Sequence, residues 1–194
     1  MARDAMGRTA ECQVSILNHR KFGRIPEGYN LPMNLQEFFL KQKEAVRQRT
    51  RQVAGMVRPE QMSWRPEAGA LSAGQLLRHI WVSEQGARKA ALEGDLSYYE
   101  TRIPKGLGAV LGQVGTVEEE LANLERIHNE TLEAARAFPL ERWDEERIHE
   151  GLDIRRKVCV ILLGINEHEI HHRAQLMTYL RILGAPVPES IRRR

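Results

Sequence analysis

Between Asp153 and Gly184 the chain holds no proline, and Ile161, Ile165, His168, His172, Leu176, Tyr179 and Leu183 follow one another at steps of three or four residues. That period places all seven on one face of an α-helix, whereas a strand would scatter them over both of its faces. The predicted helix starts between Asp153 and Lys157 and ends at Leu183. Gly184 is the expected left-handed stop, and Pro186 and Pro188 prevent continuation. A helix with so long an apolar stripe cannot stand alone, so the chain must supply other helices to cover it.

Three earlier segments carry the signals for that. Asn34 followed by Glu37, Ser72 by Gln75 and Thr116 by Glu119 all read as capping boxes, in which two side chains satisfy helix N-terminal amides reciprocally. The first predicted helix keeps Leu35, Phe38, Phe39, Val46, Val53 and Met56 apolar and ends near Arg58, before Pro59. The second runs to about Leu92 with Leu76, His79, Ser83, Ala87 and Ala90 on its inward stripe. The third reaches Phe138, before Pro139. The expected fold is all-α, an antiparallel four-helix bundle with a long connection, residues 93–115, between the second and third helices. That length admits an up-down-up-down arrangement or a crossover. Residues 1–33 show no sustained periodicity and read as an N-terminal arm, leaving 34–194 as the bundle.

Composition narrows the function. Of 194 residues, 42% are hydrophobic and 6% aromatic, enough to bury a core and better suited to amphipathic helices than to a sandwich of strands. Cys12 and Cys159 form no paired-cysteine pattern, which argues for a reducing compartment and against thiolate metal ligation. Lacking a signal-like N-terminus or a bilayer-length apolar run, the chain is expected to be cytoplasmic and not membrane-bound. A formal net charge of +3, with glutamates interleaved among the basic residues, does not form a nucleic-acid footprint.

The chemistry gathers on three histidines. His168 and His172 lie one helical turn apart among aliphatic neighbours, so their rings can reach a common ion, and burying two imidazoles without a partner would be costly. His79, the one histidine of the second helix, lies on its inward stripe and completes a three-ligand set with coordination positions to spare. A core histidine bonded to a carbonyl or carboxylate accounts for any one of them singly, and most easily for His79; the i, i+4 pair is what favours a metal. His171 turns about 100 degrees away from His172 around the helix and reads as a surface residue. His19 and His149 fall in predicted loops, and His128 has no partner at metal spacing.

Two further patterns compete. His168-Glu169-Ile170-His171-His172 spells the His-Glu-x-x-His motif of zinc hydrolases, in which the glutamate is the general base, but Gln175 and Thr178 stand where the extended motif needs Gly and His. Glu125 with His128, and Glu169 with His172, read as Glu-x-x-His pairs of a di-iron bundle, although Glu44 and Glu84 do not fall clearly on inward stripes. The glycine-rich run after Lys105 has neither the preceding strand nor the Gly-Lys-Ser/Thr of a nucleotide loop. Residues 93–115 are therefore expected to act as a lid over the open side of the metal.

The chain resembles the DinB-like family of metal-dependent helix-bundle proteins over most of residues 34–188. The segment Trp64–Ser72 resembles that family's approach to its second helix, and Leu76–His79 the helix bearing its first histidine. His168–Gln175 resembles its final motif, and Leu180–Pro188 its usual helix exit. Ala174 departs from the glycine often found there, and residues 1–32 have no counterpart. The resemblance implies that His79, His168 and His172 bind one divalent ion, for which Zn, Ni, Co and Fe all suit imidazole ligands. It also implies a homodimer, and a metal-dependent enzyme acting on a small-molecule substrate. Relatives that transfer or isomerise substrates with low-molecular-weight thiols, such as bacillithiol or mycothiol, suggest a thiol S-transferase. The alternative is a non-catalytic metal-binding or stress-response module.

Overall fold

The structure, a computed structural model, describes residues 33–186. The expected N-terminal arm, Cys12, His19 and the last residues of the expected helix exit lie outside them. Four long helices build the bundle: α1 (Leu35–Ala54), α2 (Ala73–Arg88), α5 (Val117–Ala137) and α6 (Val158–Ile182). Two short helices, α3 (Ser97–Lys105) and α4 (Gly108–Leu111), interrupt the long connection, and a two-stranded hairpin, β1 (Glu146–His149) and β2 (Ile154–Lys157), precedes α6.

Two of the three expected capping boxes form in full, and at Asn34 only the half in which its side chain accepts from the Glu37 amide is made. Asn34 accepts from the Glu37 amide at 2.9 Å, and the boxes at Ser72 with Gln75 and Thr116 with Glu119 both close in the two directions. Satisfying these amides fixes where α1, α2 and α5 begin, and so the register at which their inward faces meet. The helix α1 stops at Ala54, four residues short of the expected Arg58. A π-helical turn, Lys89–Glu93, extends α2 and closes on Gly94, whose φ of 75° is the left-handed conformation that glycine adopts without strain.

The two ends of the core reveal the topology. One cluster joins Val53 and Ala54 from the end of α1 to Leu76 and Leu77 from the start of α2, Val117 from the start of α5 and Leu180 from the end of α6. The other joins Phe39, Ala91, Ala135 and Leu162, from the opposite ends of the same helices. Hence α1 runs parallel to α6, and α2 runs parallel to α5, with the two pairs opposed. The bundle is up-down-down-up, the crossover alternative that the long connection admitted, so the antiparallel expectation is corrected only in that two contacts, α1 with α6 and α2 with α5, are parallel.

Parallel α2 and α5 require a connection that travels back along the bundle, and residues 94–116 do so. Tyr98 lies against Gly86 near the end of α2, the Leu111 carbonyl accepts from Arg78 at 3.1 Å, and Val114 lies against Gly74 near the start of α2. Glu120, fully buried, secures the far end by accepting from Arg78 at 2.9 Å, from Trp81 at 2.7 Å and from the Gly115 amide at 2.8 Å. The connection is thus a strap held along α2, not a free loop.

The hairpin escaped sequence reading. Just before it, Trp143 is buried edge-on to Phe39 with ring centres 5.8 Å apart, and the hairpin itself is tied down through Arg147, whose Nε donates to the Ala91 carbonyl in the π turn at 2.9 Å. That bond satisfies a backbone group at the helix end that would otherwise lack an intrahelical partner.

The helix α6 is buried on two stripes. Besides the expected one, Val158, Leu162, Asn166, Glu169 and Leu180 are all buried. Glu169 meets Glu84 of α2 across two cations from α1, and all four residues are sealed from solvent. Lys43 Nζ donates to Glu84 and Glu169 at 2.7 Å each, and Arg47 Nη2 donates to the same two carboxylates at 2.5 Å and 3.0 Å. Two positive and two negative charges cancel, which is what makes their burial tolerable.

Candidate metal centre

His79 is brought to the bundle interior by α2, and His168 and His172 by the neighbouring α6. The Nε2 of His168 lies 3.1 Å from Nε2 of His79 and 3.1 Å from Nε2 of His172. Three imidazole nitrogens bound to one ion at about 2.0–2.1 Å and tetrahedral angles would stand about 3.3 Å apart, so these separations suit a shared ligand sphere. The candidate ligand atoms all fall within 4.8 Å of one another. His79 and His172 are buried and His168 half-buried, and the ring centres are 4.3 to 4.6 Å apart.

Two of the three outward-facing ring nitrogens, those of His172 and His79, are tied down. Nδ1 of His172 donates to Gln175 Oε1 at 2.7 Å, one turn further along α6. Nδ1 of His79 meets Ser83 Oγ at 2.9 Å, one turn further along α2, and that hydroxyl meets the Tyr98 hydroxyl at 2.8 Å. With the proton on Nδ1, the Nε2 lone pair of each ring turns toward the other two, the tautomer a metal ligand needs. Neither Ser83 nor Gln175 was identified as functional from the sequence. The signal was their i, i+4 and i, i+3 spacing from His79 and His172.

Electrostatics points the same way. Burial, then the neighbouring His168 and His172 rings, push the His79 pKa down to about 3. Burial, followed by His172 and Arg102, does the same to His168, also to about 3, and burial chiefly lowers His172. All three are neutral at pH 7, so no proton has to leave before a cation binds.

Glu169 does not serve this site as a general base. Burial alone would raise its carboxyl pKa, but the Lys43 ammonium and the Arg47 guanidinium outweigh that and bring it to about 2. One carboxylate oxygen is bonded to both cations, Lys43 Nζ at 2.7 Å and Arg47 Nη2 at 3.0 Å. The His-Glu-x-x-His reading therefore lacks its base.

The di-iron reading fails on the same residues. Glu84 is buried after all, contrary to expectation, but Lys43 and Arg47 hold it. Glu125 is instead bound to Arg51 at the surface, Nε to Oε2 at 2.7 Å. His128 is fully buried with Nε2 3.0 Å from Glu44, and His149 pairs with Glu100 at 3.1 Å, so neither joins the cluster. His171 is exposed, as its position on α6 implies.

A cavity of about 380 Å³ opens beside His168. Its walls come from α2 (Ser83, Ala87), α3 (Tyr98, Tyr99, Arg102, Ile103), β2 (Ile154, Arg156) and α6 (Val160, Ile161, Ile165). The connection expected to form a lid does furnish one wall, as helix α3. Its seat depends on Gly86, where a Cβ would fall 2.2 Å from the Tyr98 ring. Among the described residues, no helix is long and apolar enough to cross a membrane.

Three comparisons bear on ancestry. The chain is 26% identical over 141 residues to the uncharacterized protein YjoA of Bacillus subtilis, covering 70% of this chain and 82% of that one. The crystal structure of that DinB-like protein superposes with a TM-score of 0.61 at 20% identity, over 78% of this chain and 95% of the other. A DinB-like protein from Bacillus cereus gives a TM-score of 0.63 at 16% identity over the same shares. At these identities the two structures establish the fold, and residues 42–176 match the family as a whole. The chain belongs to the DinB superfamily.

Proposed function

We propose that the protein binds one divalent metal ion through His79, His168 and His172 and is a metal-dependent enzyme acting on a small molecule in the adjoining cavity, with a low-molecular-weight thiol as co-substrate. One observation carries this reading. Three neutral imidazoles turn their Nε2 atoms toward one another, two of them fixed by hydrogen bonds at Nδ1, and His168 forms part of a largely apolar cavity wall. A divalent ion held by three neutral ligands keeps its full charge and, as a Lewis acid, lowers the pKa of a bound water or thiol so that a nucleophile exists near neutral pH. The protein's own residues hold the ligands in place, line the adjoining cavity with the apolar Ile161 and Ile165, and leave His168 open to the substrate side.

The test is elemental analysis of protein purified without chelator or nickel resin, beside His79→Ala, followed by turnover of an electrophile with a panel of thiols. Near-stoichiometric metal that is lost in the variant supports the site, and activity lost with it supports the enzyme. Equal turnover by metal-loaded protein and His172→Ala would remove the catalytic claim.

A second reading is a non-catalytic module in which the ion staples α2 to α6, supported by the ligands' origin on two adjacent helices. It predicts a large fall in Tm on chelation and no turnover with any thiol.

A further inference from the structure

The cavity wall contains a cation with nothing to balance it. Arg102, on α3, has its Nε buried without a hydrogen-bond partner, and among the described residues no carboxylate pairs with its guanidinium. Its field reaches the metal candidates, where it disfavours protonation of His79, His168 and His172 alike. Arg47 is matched by Glu84 and Glu169, Arg78 by Glu120 and Arg88 by Glu93, while the half-buried Arg173, which donates to the Val46 carbonyl at 3.1 Å, does not line the cavity. An unmatched guanidinium beside three histidines that favour a cation is unfavourable in isolation, because the two positive charges repel.

The remaining charges of the cavity do not remove the imbalance. Glu84 lies at its edge but is committed to Lys43 and Arg47. Asp153, at the exposed rim, is opposed by Arg156 on β2, which is likewise exposed and donates only to the Arg155 carbonyl at 2.8 Å. The other walls are aliphatic or tyrosine. What fits is a ligand with an apolar body and one anionic oxygen pair. A guanidinium fork matches a carboxylate's two oxygens, while a dianionic phosphate would need more than one interior cation.

The geometry points to Arg102 as a carboxylate-recognition residue, so that the cavity takes a small monocarboxylate with an apolar body, oriented between Arg102 and the histidine cluster. This rests on the metal-enzyme reading for the ligand's reacting end, but the carboxylate contact is separable from it.

The test is isothermal titration with two matched thiols, 3-mercaptopropionate and 3-mercaptopropan-1-ol, into the zinc-loaded protein, its Arg102→Gln variant and an Arg155→Gln control. Arg155 carries the same charge, on a strand that contributes to the cavity, but pairs with Glu146 and does not line the cavity. The wild type should prefer the carboxylate about tenfold, the contribution of one charge-assisted contact. Arg102→Gln should abolish the preference while binding the alcohol within about twofold of wild type, and Arg155→Gln should retain it. A preference that survives in Arg102→Gln, or disappears in Arg155→Gln, overturns the proposal. Propionate against propan-1-ol, titrated into metal-free protein, separates the two claims. An Arg102-dependent preference there with no zinc uptake sinks only the metal reading, and zinc uptake with no carboxylate preference in either form sinks only the Arg102 assignment.

Discussion

His79 and His168 lie 89 positions apart in the chain, yet their Nε2 atoms are 3.1 Å from each other. Two helices must be placed to within a fraction of an ångström for that, and the residue following Ser83 on α2 and the residue following His168 on α6 do the placing. Those residues, Glu84 and Glu169, are both gripped by Lys43 and Arg47 of α1. The charged quartet thereby sets the distance between the helices that bear the histidines.

Removing one member of the quartet leaves an uncompensated buried charge. Lys43→Met should cost about 3–5 kcal/mol of stability, and Lys43→Met combined with Glu169→Gln should recover part of it by restoring neutrality. Urea denaturation of the single and double variants measures this. Equal stability of the double and single variants would show that charge balance is not what matters.

Removing an anchor should weaken metal binding without removing a ligand. Gln175→Ala frees Nδ1 of His172, and Ser83→Ala frees Nδ1 of His79. Each should lower metal affinity about 10–100-fold, with Tm of the metal-free protein changed little. Competition with a chromogenic chelator reads the affinity directly.

Gly86 is required for the contact between Tyr98 and Ser83, since its Cβ would overlap the Tyr98 ring. Gly86→Ala should destabilise the protein by about 1–3 kcal/mol through overpacking. In a Tyr98→Ala background the same change should be neutral or stabilising by up to about 1 kcal/mol, because alanine favours the helix. Thermal melts of the four proteins complete the cycle.

The pH dependence of the metal-free protein follows from the depressed histidines. His79 and His168 have folded pKa values of about 3, against about 6.5 in an unfolded chain. Below about pH 6.5 the unfolded chain takes up protons that the folded chain refuses. Stability is therefore full above that value and declines as the pH falls toward about 3. His168→Leu removes one of these groups, so its Tm should fall less steeply with pH. Parallel curves for the two proteins would contradict this.

Much of the site was legible because its signals are local. His168 and His172 declare themselves by one-turn spacing within an apolar stripe, and His79 by its place on a well-capped helix. The residues that read poorly are those whose meaning depends on distant partners. Lys43 and Arg47 look like a solvated face until Glu84 and Glu169 stand opposite them, and Arg102 lies in a connection with little periodicity. The hairpin around Ile148 and Ile154 was missed because its strands are four residues long and mostly charged. The direction of α5 was not visible either, since a long connection is compatible with a return on either side, and the strap contacts at Tyr98, Leu111 and Val114 decide it.

The central claim is a single ion on three imidazoles. X-ray absorption fine structure at the metal edge of protein loaded with one equivalent of Zn²⁺ tests it. The expected spectrum has three imidazoles at about 2.0–2.1 Å, falling to two in His79→Ala. Fewer than three imidazoles in the wild type, or an unchanged count in that variant, would contradict it.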